Sequence, residues 1–194
     1  MNVILASQSP RRLELLEQIG LHPEVHPAHI DETPLSNESP EDYVNRLARS
    51  KAESVAQHYT GALVIGSDTS VVIGQQILGK PQSREHFLTM FKRLSGAKHQ
   101  VMTAVAVTDG QQTRSEVVVT QVSFYSISEN EIERYWLSGE PQDKAGGYGI
   151  QGLGALFVKE IQGSYSAVVG LPIAETGKIL EKFGFSIWTQ ESVE

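Results

Sequence analysis

The most apolar stretch of the chain, Ala62 to Ile73, is nearly continuous strand material, and Gly66, Ser67 and Asp68 stand at its centre. A buried carboxylate needs partners, a metal or a shifted pKa. Gly66 permits close backbone approach, and strand ends are where α/β sheets place catalytic groups. The same three residues also suit a turn between two short strands, because Ser and Asp side chains bond back to nearby backbone. On this segment alone both readings stand. Either way the chain must build a sheet around this run.

Helix signals separate the strands. Val3 to Ala6 reads as a short strand. Ser9 then caps and Pro10 opens a helix to about Ile19, stopped by Gly20. Leu21 to Pro40 is rich in His, Pro and acids and reads as irregular, with room for a short strand. A second helix is expected from Pro40 to Tyr59. Gly74, Gln75 and Gln76 turn the chain into Ile77 and Leu78. Ser83 caps a helix ending near Leu94, with Gly96 after it. Val101 to Val107 and Glu116 to Tyr125 are β-branched strands joined at Asp109-Gly110. Ser128 and Glu131 form a capping box for a helix through Trp136. A glycine-rich loop, Gly146 to Gly154, precedes a strand from Leu156 to Ile161. Pro172 starts the last helix, ended by Gly184. Strands and helices alternate, but not in strict βαβ order, so the expected fold class is α/β with a mixed sheet.

The length, 194 residues, suits one domain or two small lobes sharing one core. Sixteen Lys and Arg against 23 Asp and Glu leave a net charge of −7, which argues against a nucleic-acid or anionic-membrane partner. A small anionic ligand in a local basic pocket remains open. There is no cysteine, so disulfides, thiol nucleophiles and Cys-type metal centres are excluded. The opening MNVILASQSPRR lacks the basic segment and the apolar length of a signal peptide. No stretch approaches the roughly 20 apolar residues of a membrane span. A soluble cytoplasmic protein is expected.

Several charged residues stand where a purely structural chain would not put them. Arg11 and Arg12 fall in the first turn after Ser9, at the positive pole of the helix dipole. A bound phosphate would offset that cost, held by free backbone N–H groups, two guanidinium forks and the hydroxyls of Ser7 and Ser9. Pairing with acids or exposure to water would also explain them. Lys51 completes the apolar stripe of Val44, Leu47, Ala48 and Val55, so its ammonium must snorkel out or meet an anion. Lys80 sits between Gly79 and Pro81, where a stiff backbone would aim it into a pocket or leave it solvated. Asp31 and Glu32, ahead of Pro34, would join Asp68 in holding Mg²⁺, or stand as exposed loop acids.

Two tempting motifs are discounted. Gly147 to Gly152 matches G-x-G-x-x-G, but a dinucleotide fingerprint follows a strand and opens a helix, and this segment does neither. Glycines that let a nucleotide approach the backbone remain plausible there, with the Gln151 amide able to read a base edge. His22, His26 and His29 have metal-like spacing, yet Pro23 and Pro27 break any helix that would align them. Arg11, Arg12, Lys51 and Lys80 with two or three acids suit a polyphosphate substrate carried with a divalent metal. Asp68 would then deprotonate the attacking water. Neither a Walker motif nor a G-x-S-x-G elbow is present.

In chain order, Ala6-Ser7-Gln8-Ser9-Pro10-Arg11-Arg12, Asp31-Glu32, Ala48-Arg49-Ser50-Lys51-Ala52, Gly66-Ser67-Asp68-Thr69, Gly79-Lys80-Pro81, Leu94-Ser95-Gly96, Lys144-Ala145-Gly146 and Val169-Gly170-Leu171-Pro172 resemble the signature set of the Maf nucleotide pyrophosphatases. The resemblance covers essentially the whole chain. It implies a single domain over residues 1–194 with an ITPase-like fold: an elongated mixed β-sheet flanked by helices, and two lobes with a central cleft. It implies hydrolysis of a nucleoside triphosphate to the monophosphate and pyrophosphate with Mg²⁺ or Mn²⁺. Asp68 matches the family's proton acceptor. Ser7, Ser9, Arg12, Glu32, Lys51 and Lys80 match its polar pocket, with Glu32 and Asp68 at the metal. Arg11, Thr69 and Gln151 are similar to the branch acting on dTTP and UTP. The 7-methyl-GTP branch has a bulky aromatic, a glutamine and a glutamate at those places. The expected role is removal of non-standard or surplus pyrimidine nucleotides, in an enzyme that is often a homodimer. Two other classes stay open: a nucleotide-binding regulator of cell division and septum formation without turnover, and a small phosphotransferase or phosphatase.

Overall fold

The computed structural model describes residues 2–189, with strands β1 (Val3–Leu5), β2 (Glu24–Val25), β3 (Leu63–Ile73), β4 (Gln76–Leu78), β5 (Lys98–Thr108), β6 (Thr113–Phe124) and β7 (Val158–Gln162). The helices are α1 (Pro10–Gln18), α2 (Pro40–Ala56), α3 (Arg84–Leu94), α4 (Glu129–Leu137), α5 (Tyr165–Val169) and α6 (Ile173–Lys182). Met1 and residues 190–194, the two ends of the expected domain, lie outside the described residues. The strands form one sheet in the order β2-β1-β3-β5-β6-β7, with β4 paired to β3. β1 runs parallel to β2 and β3, whereas β4 and β7 run antiparallel to β3 and β6. The expected mixed α/β class is therefore borne out. The chain gathers into two compact units. One holds the chain up to Asp68, Thr103–Val118 and the chain from Gly170; the other holds Thr69–Met102 and Val119–Val169.

In the first unit, β1 and β3 pair from Val3↔Leu63 to Leu5↔Ile65, and the Ala6 N–H extends the ladder to the Ile65 carbonyl at 2.8 Å. From β1 the chain passes to β2 on one side and later to β3 on the other. Such a reversal leaves a crevice beyond the carboxyl ends of the strands, a common ligand position in α/β sheets. Ser7 follows the carboxyl end of β1. α2 starts at a sound cap: the Ser39 hydroxyl accepts from the Asp42 N–H, Pro40 takes the first position, and Glu41 and Asp42 complement the dipole. Val44, Leu47, Ala48, Ala52 and Val55 are buried. The helix ends at Ala56 rather than at Tyr59, because the His58 and Tyr59 N–H groups bond three residues back, to Val55 and Ala56, and tighten the last turn.

Of the two readings of Gly66, Ser67 and Asp68, the turn is not the one the chain adopts; β3 passes straight through them. Gly66, Ser67 and Asp68 are each accommodated by tertiary contacts. A Cβ on Gly66 would overlap the Ala48 carbonyl oxygen and lie 2.7 Å from the Ala52 backbone nitrogen, so glycine is what lets α2 settle on β3. The buried Ser67 hydroxyl shares its proton between the carbonyls of Ala104 (2.8 Å) and Gly170 (3.0 Å). Asp68 finds its partner in α2. With the Ser67 hydroxyl and the Asp68 carboxylate both paired, neither forces a turn.

The second unit is built on aromatics. Phe87 and Phe91 of α3 stack with centroids 4.4 Å apart, and Phe91 packs on Tyr135 and Phe157 at 5.5 and 5.7 Å. Ser83 caps α3, and the capping box of Ser128 and Glu131 opens α4, as expected. The strand expected from Leu156 starts instead at Val158. Leu156 and Phe157 end a 3₁₀ turn that buries the Phe157 ring in the aromatic cluster. The short helix α5 has no strong signal in the sequence; the Ser164 hydroxyl accepts from the Ala167 N–H at 3.2 Å and caps its start.

Candidate active site

Ser7, just past β1, is buried, and its hydroxyl oxygen accepts from the Ser9 N–H at 3.2 Å and from Arg12 Nη1 at 3.1 Å. Ser9 stands at the N-cap of α1, but its own side chain makes no capping bond. Arg12 Nε donates to the Gly170 carbonyl at 2.9 Å. The first turn of α1 carries Arg11 and Arg12 at the positive pole of the helix and holds no acid of its own. Burial lowers the Arg12 pKa, Asp68 pulls it back up, Arg11 next to it lowers it and Glu32 raises it. The guanidinium stays charged. Ser7 and Gly170 help orient it.

Lys51 does not reach out to solvent. Its Nζ lies 2.7 Å from Asp68 Oδ1 and 2.8 Å from Glu32 Oε1, and the side chains of Lys51 and Asp68 are each only 11% exposed. α2 puts Lys51 one turn beyond Ala48, next to the glycine-permitted contact with β3, and Asp68 lies two residues after that glycine on the same strand. Asp68 is pushed above the ordinary Asp range by burial. Lys51 and Arg12 pull it down, and Glu32 pushes it up again. A carboxylate poised this way is a stronger base than a free aspartate.

Glu32 reaches Lys51 from the irregular segment between β2 and α2. The Tyr43 hydroxyl donates to the Glu32 carbonyl at 2.9 Å, and Arg46 Nη2 donates to the Thr33 carbonyl at 3.1 Å. Arg46 also grips Glu38, whose carboxylate accepts the Leu35 N–H at 3.0 Å. The hydrogen bond to Arg46 drops the Glu38 pKa to about 2. Asp31 behaves differently from its neighbour: its carboxylate accepts from the Thr33 N–H at 2.9 Å and shapes the turn. Tyr43, Arg46 and Ser67 were not singled out as site residues. Tyr43 and Arg46 lie on the exposed side of an ordinary amphipathic helix, and no spacing rule separates them from solvated residues. Arg49 bonds the Thr113 carbonyl and the Ser115 hydroxyl at 3.4 and 3.3 Å.

The remaining expected site residues belong to the second unit. Thr69 is half-buried in β3 and Lys80 is exposed just beyond β4. The Gly146 N–H donates to the Gly79 carbonyl at 3.1 Å, so the segments Gly79-Lys80-Pro81 and Lys144-Ala145-Gly146 meet. Gln151 is exposed in the glycine-rich loop. His26 Nδ1 shares a 2.9 Å hydrogen bond with the Tyr59 hydroxyl. Among the described residues no three His, Cys, Asp or Glu gather as a metal cage, and no helix is long and apolar enough to cross a membrane.

The family model described as Maf-like protein matches residues 2–183. The chain is 57% identical over 182 residues to a dTTP/UTP pyrophosphatase of Pseudoalteromonas translucida, covering 93% of this chain and 96% of that one. It is 54% identical to a dTTP/UTP pyrophosphatase of Vibrio cholerae, over 93% of this chain and 97% of the other. For a dTTP/UTP pyrophosphatase of Pseudoalteromonas atlantica the identity is 51%, over 95% and 98%.

Proposed function

The chain belongs to the Maf-like protein family, and from that premise we propose that it hydrolyses dTTP and UTP to the nucleoside monophosphate and pyrophosphate, with Asp68 as general base. The observation that carries the reading is the buried Asp68 carboxylate beside Lys51, with Arg12 in the same electrostatic field. Lys51 is a cation that a triphosphate would compete for. As phosphate oxygens take over the ammonium, Asp68 Oδ1 is freed to accept a proton from water. The water oxygen bonds to the α-phosphorus, the bond from that phosphorus to the α,β-bridging oxygen breaks, and pyrophosphate leaves with the bond's electron pair. Arg12, held by Ser7 and Gly170, is preorganised to meet charge developing on the phosphoryl oxygens. The Ser7 hydroxyl lies beside it at 3.1 Å, and Ser9 is proposed as a further hydroxyl for phosphate on the strength of the family motif.

Glu32 and Asp68 offer hard carboxylate oxygens, the donor type Mg²⁺ and Mn²⁺ prefer, and would hold such an ion while water and phosphate oxygens complete its shell. The ion would neutralise charge on the triphosphate. Lys80 is proposed as a further phosphate cation, and Arg11, Thr69 and Gln151 as positions that select the base, on the strength of the family motifs. A cytoplasmic setting among free nucleotides is part of the proposal and accords with a chain that has no cysteine. So is a homodimer, for which the exposed Leu137 and Leu156 offer apolar surface.

The test is a product-resolved assay with Mg²⁺ or Mn²⁺ on dTTP, UTP, CTP, GTP and 7-methyl-GTP. Pyrophosphate with TMP or UMP, and weak purine turnover, is the expected result. Preferred turnover of 7-methyl-GTP would overturn the base assignment. Orthophosphate as product would point to a phosphatase. No product from well-folded protein would leave a nucleotide-binding regulator.

A further inference from the structure

The glycine-rich loop is organised by one carboxylate outside it. Glu140 Oε2 accepts from the Leu153 N–H at 2.7 Å, and Glu140 Oε1 accepts from the Gly154 N–H at 2.9 Å and the Tyr135 hydroxyl at 2.8 Å. The Tyr135 oxygen in turn accepts from the Gly149 N–H at 3.3 Å. Lys144 Nζ donates to the Glu140 carbonyl at 2.8 Å. The backbone is thus gripped at residue 149 on one side of Gln151 and at residues 153 and 154 on the other, while the Gln151 side chain stays exposed.

This grip accounts for three glycines of the loop, Gly149, Gly152 and Gly154. A Cβ on Gly152 would overlap Glu140 Oε2, one on Gly154 would lie 2.8 Å from the Tyr135 hydroxyl, and one on Gly149 would lie 2.9 Å from Lys144 Cε. The spacing of Gly149, Gly152 and Gly154 leaves room for the carboxylate, the phenol and the lysine stem. Three hydrogen bonds converge on one carboxylate to hold a loop whose only exposed amide side chain is Gln151.

We propose that Glu140 is a positioning residue for nucleobase selection: with Tyr135 it holds the backbone on both sides of Gln151, so that the Gln151 amide meets the base in one orientation. This rests on the nucleotide reading above. An amide that must match a donor and an acceptor on a base edge discriminates only while its backbone is fixed. A loop without the grip still binds nucleotide but samples orientations in which the match is lost.

Glu140→Gln and Tyr135→Phe test this by three readouts. In the free protein, amide hydrogen exchange at Leu153 and Gly154 should quicken in Glu140→Gln. In turnover, the preference for dTTP over CTP should fall about tenfold, the worth of one well-made hydrogen bond, and the loss should appear in KM more than in kcat. Tyr135→Phe should move the same way by less; its ring keeps its packing against Phe91 and Phe157, so it carries the test if Glu140→Gln does not fold. An equal rise in KM for every triphosphate, with the preference intact, would overturn the inference. If the wild type hydrolyses none of the triphosphates, the function reading fails. The inference is then read from calorimetric binding of TMP against CMP, which needs no turnover. A preference lost in Glu140→Gln sustains it; a preference unchanged by the substitution, or absent from the wild type, overturns it.

Discussion

Lys51 Nζ lies 2.7 Å from Asp68 Oδ1, joining the middle of α2 to the middle of β3 across a contact that only glycine at position 66 allows. A carboxylate that interrupts an apolar strand and a lysine that completes an apolar helix stripe are each anomalous alone. Together they account for one another. Glu32 adds a second carboxylate to the same ammonium at 2.8 Å, so the pair forms one side of a charged cluster that Arg12 faces electrostatically.

Asp68→Asn should lower kcat by about a hundredfold or more while nucleotide binding persists, since the amide keeps the shape and cannot take the proton. Steady-state turnover beside calorimetric titration of the product monophosphate separates the two effects. Full activity would remove Asp68 from the chemistry.

The same variant carries a pH signature. Asp68 has a folded pKa raised above the ordinary 3.8, so the native state holds its proton more tightly than the unfolded chain. Its contribution to stability is complete below 3.8 and is lost as pH rises through the folded value. Asp68→Asn should therefore gain stability relative to the wild type across that window. Denaturant titrations at stepped pH measure the difference; a pH-independent difference would contradict the raised pKa.

Lys51→Met should raise KM for the triphosphate and move the acid limb of kcat/KM to higher pH. The substitution takes away the largest force holding the Asp68 pKa down, leaving burial and Glu32 to push it up. A pH–rate profile is the check. An unshifted limb would mean that Asp68 is not the group being titrated.

Gly66→Ala should cost about 1–3 kcal/mol, because a methyl there meets the backbone of α2 and not a movable side chain. A fall in Tm of several degrees is expected in thermal denaturation. Activity should fall further than stability, since moving α2 off β3 parts Lys51 from Asp68.

His99 is buried and shares a 2.7 Å hydrogen bond with Tyr148, and burial lowers its pKa to about 4. Here the sign is opposite to that of Asp68. The native state binds the proton less tightly, so stability is full above 6.5 and falls as pH drops toward about 4. The slope approaches about 1.4 kcal/mol per pH unit in that window. His99→Gln should flatten it in chemical denaturation at pH 4 to 7, and a slope kept in the variant would assign it elsewhere.

Much of this was legible locally. Ser39, Ser83 and the Ser128–Glu131 box cap helices that begin where their side chains predict, and Gly20, Gly96 and Gly184 follow helices with positive φ. The α/β class, the hairpin at Gly74 and the lone lysine on an apolar stripe could likewise be read from the chain. Caps, turns and periodicity act between residues a few positions apart, so the amino-acid order alone determines them. The order also flagged Asp68 as anomalous, but left it suspended between a turn and a site.

Only the tertiary structure decided between those readings. The strand stays unbroken because Ser67 bonds Ala104 and Gly170, which lie 37 and 103 residues away, and because Lys51 arrives from another element. Arg12 is aimed by a carbonyl 158 residues along the chain. Glu140 carries no local sign of its hold on the glycine-rich loop, since a solvated acid and one that clamps a loop look alike in sequence. These contacts depend on which strands become neighbours in the sheet. That choice is made by burial of the whole apolar surface together, and no window of sequence contains it.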